Sequence, residues 1–299
     1  VNIGPFSQTY TSQRLQLHYV EWGSRDRPPL LLHGSRDHCR SWDWAARALA
    51  SRWNVIAPDL RGHGDSQWSA EGSYSVSAYL YDLCELVRIR ELDRIPIVAH
   101  SLGGTIAARY VALFPERVSR LLLVDGAGIP RSPESDSAPV ADRLRQWLED
   151  RRSFAMRPSH RYESFAAAEA RMRAENAHLS DELLRHLTLH AVRRNEDDSY
   201  SWKFDNLIRL RPPQDGSEAE LITLFNSITV PTMMIWGTQS YTPPPRESSR
   251  VQAIPGIDIR EIEGASHWPH HDAPELFLKL LDEFLDPAID RPLSDSVEA

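Results

Sequence analysis

"IPIVAHSLGGTIAARYVALF", residues 95–114, decides the fold. An apolar run enters Ser101 directly and a helical pattern leaves it, with no ordinary loop between them. A strand-to-helix turn this sharp strains the residue at its apex and tolerates only small neighbours. Ala99 stands two before Ser101 and Gly103 two after, the G-x-S-x-G pattern with Ala at the first small position. Gly104 lets the following helix lie close to the sheet. The turn pushes Ser101 Oγ out at the carboxyl edge of the sheet, where open α/β sheets place their ligands. The helix beginning at Leu102 aims backbone N–H groups and a positive dipole end at the same spot.

Working outward, the chain alternates short apolar runs with amphipathic stretches. "PLLLH" (29–33), "NVIAP" (54–58), "RLLLVD" (120–125), "PTMMIW" (231–236) and "IDIREI" (257–262) read as further strands. Near-continuous apolar character marks the first three as buried parallel strands. "LQLHYVEW" (15–22) alternates, as a strand with one exposed face does. Helical patterns fill 41–52, 76–91 and 102–114. Repeated β-α units of this kind imply α/β architecture, with a mostly parallel, doubly wound sheet covered by helices on both faces.

The alternation breaks after Asp125. Residues 131–228 offer no convincing strand, and "ADRLRQWLEDRRSF", "RYESFAAAEARMRAENAHL" and "SDELLRHLTLHAV" have helical spacing. The expectation is a core made of 1–130 and 229–299, with 131–228 inserted as a helical cap. The tail after Phe284 is polar and reads as frayed.

Composition narrows the class. The 299 residues are 41% apolar, enough for a large core, and the net charge is −8. That charge argues against nucleic acid or an anionic membrane as the main partner. No run approaches the ~20 apolar residues of a membrane span. The start shows no basic-then-apolar leader pattern. Cys39 and Cys84 are the only cysteines, without CxxC spacing, which points to a reducing, cytoplasmic setting rather than a disulfide framework.

The chain resembles the α/β-hydrolase fold family over about residues 14–285. The likeness rests on "LLLHGS" (30–35), "APDLRGHGDS" (57–66), "VAHSLGG" (98–104), "LFPERVSRLLLVD" (113–125), "PTMMIWG" (231–237) and "EGASHWPHHDAPELF" (263–277). The resemblance implies a nucleophile at Ser101 and a base at His267, the first His after the strand 257–262. It implies an oxyanion hole from the N–H groups of Leu102 and Ser35. It makes His33 and the Arg61–Ser66 loop structural. A metal reading of His267, His270, His271 and Asp272 has suitable helical spacing. It lacks a second ligand cluster, so no metal and no cofactor are expected.

The acid is displaced. The family pattern puts an Asp in the loop after "PTMMIW", and here that position is Ser240. A neutral hydroxyl cannot stabilise an imidazolium as a carboxylate does. Asp125, at the end of the neighbouring strand, is the preferred acid, as in some branches of the family. Glu247, Asp258 or a weakened dyad stay open, and Asp125 can also be read as a cap of the turn "DGAG".

A serine at the elbow excludes the ester-on-Asp chemistry of the family's dehalogenases and epoxide hydrolases, and implies an acyl-enzyme. The expected substrate is a small or medium, partly apolar carboxylic ester, and the expected partner a small molecule only. His100, Trp42, Trp202 and Trp268 are expected to touch it, within an aromatic set that also suits a plain core. Open beside this stand a lactonase or carbon–carbon bond hydrolase on the same machinery, and a barely catalytic ligand receptor.

Overall fold

The computed structural model describes residues 3–23, 28–128, 138–210 and 216–285. Its strands are β1 (Phe6–Ser12), β2 (Leu15–Trp22), β3 (Leu30–Leu32), β4 (Val55–Pro58), β5 (Ile95–His100), β6 (Val118–Val124), β7 (Val192–Arg194), β8 (Tyr200–Trp202), β9 (Thr232–Gly237) and β10 (Asp258–Ile262). Its helices are α1 (Asp43–Leu49), α2 (Val76–Ile89), α3 (Leu102–Leu113), α4 (Val140–Ala155), α5 (Phe165–Glu175), α6 (Asp181–Ala191), α7 (Glu218–Phe225), α8 (Ser249–Gln252), α9 (Pro269–Asp272) and α10 (Pro274–Leu285).

Eight strands form one sheet in the order β1-β2-β4-β3-β5-β6-β9-β10. The first two pairings are antiparallel and the rest parallel. Alternation along the strands then builds two cores. Leu121 and Leu123 of β6 face one layer with residues of α2, α3 and α7, while Leu122 and Val124 face the other with residues of α1 and α10. A fully buried aliphatic side chain of this kind stabilises the fold by about 1.5–3 kcal/mol.

Three expectations change. β2 is not exposed on one face: Leu17 to Val20 are all buried. Its His18 sits 2.7 Å from Asp59, so the polar position is satisfied inside rather than wetted. β1 pairs with β2 although "FSQTYTS" carries little apolar signal. The stretch without expected strands contains the hairpin β7–β8, of three residues each, too short for a period to register. The tail from residue 286, and residues 131–137 at the start of the expected cap, lie outside the described residues. Among the described residues no helix is long and apolar enough to cross a membrane.

The Arg61–Ser66 loop braces one edge of the core. The buried Arg61 guanidinium donates to both oxygens of Asp82 on α2, each at 2.6 Å. Ser12 Oγ and Gln13 add donors to the same carboxylate. His33 donates through Nδ1 to the Gly34 carbonyl and accepts the Leu60 N–H at Nε2. Asp82→Ala leaves the Arg61 charge buried and uncompensated, which costs about 3–5 kcal/mol. Urea unfolding measures this loss, and the double change Arg61→Met with Asp82→Leu recovers most of it if burial of a lone charge is the cause.

Candidate active site

The site is built where β5 and β6 end side by side. Ser101 follows β5 with φ 50° and ψ −111°, a backbone region that non-glycine residues seldom adopt. Glycines make the geometry possible. A Cβ on Gly103 would lie 2.7 Å from the Leu32 carbonyl, one on Gly104 only 1.9 Å from the Gly126 carbonyl, and one on Gly126 2.4 Å from Ser101 Cα. The backbone N–H of Ser101 donates to the Val124 carbonyl of β6, locking the bend to the next strand.

Asp125 is the residue after β6, also in the left-handed region at φ 48°, which Asp tolerates better than most. Its N–H donates to the Ile235 carbonyl of β9. His267 stands on the loop after β10. Its Nε2 is 2.9 Å from Ser101 Oγ, and its Nδ1 is 3.0 Å from Asp125 Oδ1. The second contact is close but bent, so Nδ1 makes no well-aligned hydrogen bond. Such contacts are often loose in unliganded sites and tighten around a substrate.

The loop after β9 explains its missing acid. Ser240 Oγ donates to Asp125 Oδ1 at 3.1 Å, and Thr242 Oγ1 donates to the same oxygen at 2.5 Å. The position expected to hold a carboxylate therefore holds a donor to one. Glu247 and Asp258 make no contact with His267 among the described residues; Asp258 pairs with Arg260 instead.

Leu102 and Ser35 border the same cleft, and neither backbone N–H has an acceptor among the described residues. The cleft holds about 800 Å³ and is lined by Ser101, Asp125 and His267 together with Phe154, Ile208 and Tyr241. The Tyr241 ring lies 4.4 Å from the His267 ring. A second cavity of about 720 Å³ opens on the other side of Ser35, lined by Met172, Leu179, Trp202 and Trp268 among others. Ser35, Arg36 and Arg209 border both.

Two of the four expected substrate contacts are corrected. Trp42 is buried in the core, its ring stacked on His270 at 4.6 Å, because a large ring between α1 and α10 contributes more by packing than by facing a cleft. His100 is also buried. Its Nε2–H donates to the His267 carbonyl at 2.8 Å, so it supports the loop of His267 from beneath. Trp202 and Trp268 line the second cavity, not the cleft of Ser101. The side chains of 267–272 diverge: His271 donates to the Ser41 carbonyl, and Asp272 accepts from Ser266 N–H and Oγ. The sequence reading missed Tyr241, Thr242, Arg36 and Arg209. The hydroxyls two apart in "TQSYT" were the available signal for the donors to Asp125.

An α/β sheet that brings a serine at a strand-to-helix bend against a histidine and an aspartate defines the hydrolase class of such folds. The chain belongs to the alpha/beta hydrolase family, whose model matches residues 30–280. It is 29% identical to an uncharacterized protein of Mycobacterium tuberculosis, over 86% of this chain and 74% of that one. It is 25% identical to an esterase of the same organism, over 95% and 91% of the two chains. The thioesterase domain of a curacin biosynthetic pathway has the same fold, with a TM-score of 0.81, 24% identity and coverage of 92% and 98%.

Acid sensitivity follows from the buried rings around the site. Burial pulls His38 and His63 down to about 3 and His271 to about 4, and holds His100 and His270 well below the ordinary 6.5. Burial also raises Asp37 to about 7, which acts in the opposite direction. Near pH 5 unfolding lets five imidazoles take up protons while Asp37 gives one up. His33 and His190 are lowered as well, so the imidazoles outweigh Asp37, unfolding binds protons on balance, and stability falls as pH drops from 6.5 toward 4. Urea titrations between pH 7 and 4.5 measure the slope; stability flat across that range counts against neutral buried rings.

Proposed function

We propose that the chain is a serine hydrolase of carboxylic esters that works through an acyl-enzyme on Ser101. One observation carries the reading: His267 lies 2.9 Å from Ser101 Oγ on one side and 3.0 Å from Asp125 on the other. Nε2 removes the Oγ proton as Oγ attacks the ester carbonyl. The developing oxyanion meets the Leu102 and Ser35 N–H groups, donors of a kind that can lower the barrier by several kcal/mol. The imidazolium then gives its proton to the leaving alcohol. In the second half Nε2 takes a proton from water as its oxygen attacks the acyl-enzyme carbonyl, and the imidazolium returns that proton to Ser101 Oγ as the Oγ–acyl bond breaks, releasing the acid.

Asp125 is the acid in this scheme. It keeps Nδ1 protonated and balances the imidazolium charge, while Ser240 and Thr242 fix its orientation. The described part of 131–228 acts as the cap: its Phe154, Ile208 and Arg209 line the cleft of Ser101. The esterase relative supports ester chemistry for this chain, and the serine at the elbow supports it over chemistry that needs an aspartate there.

A fluorophosphonate probe labels Ser101 in the intact protein, and Ser101→Ala abolishes both labelling and turnover of short p-nitrophenyl esters. An unlabelled, inactive wild type would mean a ligand receptor. Asp125→Asn lowers kcat by about 10³–10⁴-fold with the thermal melt retained, because the counter-charge to the imidazolium is lost. Restoring a carboxylate one strand over, as Asp125→Asn with Ser240→Asp, recovers part of that rate; Asp125→Asn retaining most activity moves the acid elsewhere.

A further inference from the structure

The charges at the junction of the two cavities are not matched. Arg36 follows Ser35 directly, with φ 64°, and borders both cavities; Arg209 borders both as well. Arg157 lines neither cavity but lies near enough to act on the Arg209 charge. None of the three pairs with a carboxylate among the described residues, in a chain where acidic residues outnumber basic ones, 42 to 34. Other arginines of the fold are paired: Arg40 with Asp43, Arg61 with Asp82, Arg250 with Glu218. Arg209 instead lies over the Phe204 ring and Arg157 over the Phe154 ring.

The group bears the mark of mutual repulsion. Partial burial, then the charges of Arg36 and Arg157, pull the Arg209 guanidinium down. Glu175 opposes this from across the second cavity, but Glu175 is held by Arg171. Asp37, next in the chain, lines the second cavity as well; it accepts the His38 N–H and forms no ion pair with Arg36 or Arg209, and burial raises its pKa to about 7, which weakens it as a counter-ion. Asp125 borders the cleft of Ser101 but is buried, and its carboxylate is taken up by Ser240, Thr242 and His267. Guanidiniums gathered at a cleft without counter-ions are suited to a planar anion, which a fork of N–H donors binds in two-point contact.

We propose that the substrate carries a carboxylate, bound by Arg36 and Arg209 where the two cavities meet at Ser35. This rests on the ester-hydrolase reading and deepens it. The ester carbonyl lies between Ser101 and the Leu102 and Ser35 N–H groups. The free carboxylate turns to the arginines beside Ser35, and the apolar remainder enters a cavity. A half-ester of a short dicarboxylic acid has this shape.

The test separates binding from turnover by using the intact Ser101→Ala protein. Calorimetry compares monomethyl glutarate, which is anionic, with dimethyl glutarate, which is the same ester without the charge. The monoester binds about 10-fold more tightly, as expected for a charge-assisted hydrogen bond. Added salt narrows the gap. Arg36→Gln or Arg209→Gln in the same background each removes most of it, whereas Arg88→Gln, at an exposed site on α2, keeps it. Equal or tighter binding of the diester, or a gap that survives both arginine changes, overturns the carboxylate assignment. Turnover is scored separately with wild-type protein: failure to cleave either ester or to label Ser101 sinks the hydrolase reading and leaves the binding result standing on its own.

Discussion

The contact on which the site depends is between two backbones: Gly126 against Ser101. The ends of β5 and β6 approach so closely that a single added carbon at 126 would sit 2.4 Å from Ser101 Cα. That approach holds Ser101 in a conformation it would not keep in isolation, through the bond from its N–H to the Val124 carbonyl. Strain of this kind persists only where the surroundings over-determine it. Here they do, because β5 and β6 are central strands flanked on both sides, with cores above and below.

The same approach explains how the carboxylate proposed as the acid can stand one strand away from the position the family pattern implies. β6 and β9 are neighbours, with Val124 opposite Ile235, so their ends differ by one strand spacing of about 4.8 Å. A carboxylate leaving either strand reaches the imidazole that comes down after β10. The two positions also remain physically linked. Ser240 and Thr242 donate to Asp125, so the loop that lacks a carboxylate still fixes the one that replaces it. The loop after β9 thus offers donors where a carboxylate was expected, and the charge beside His267 comes from the end of β6.

What was legible in the sequence had a periodic or covalent signature. The buried strands could be read because a strand covered on both faces must be apolar throughout, and Ser101 because the bend demands small residues at fixed offsets. That Asp125 comes to lie beside His267 was legible through topology, since it ends the strand next to β9. β1 was hidden because an edge strand needs only one partner and "FSQTYTS" keeps its exposed face polar. Trp42 and His100 were misplaced for a common reason. Aromatic and imidazole rings near a site serve it by packing or by holding a carbonyl as readily as by touching a substrate, and only coordinates separate these uses. The unpaired arginines were invisible because pairing is a property of space: Arg36 and Arg209 are far apart in sequence and ordinary in composition.

The base itself is held from within the core. Ser266, the residue before His267, gives both its N–H and its hydroxyl to Asp272 Oδ2, at 2.6 and 2.5 Å. The His267 carbonyl takes the Nε2–H of the buried His100. The other oxygen of Asp272 accepts from His178, which belongs to the segment between β6 and β9. His178 is half exposed and meets one oxygen, whereas the anchors from Ser266 use the other. Loss of the His178 contact would therefore leave both anchors of the loop formed. The contact that reaches this loop from the segment between β6 and β9 is thus separate from the pair of bonds that fixes Ser266, so the placement of His267 does not depend on it.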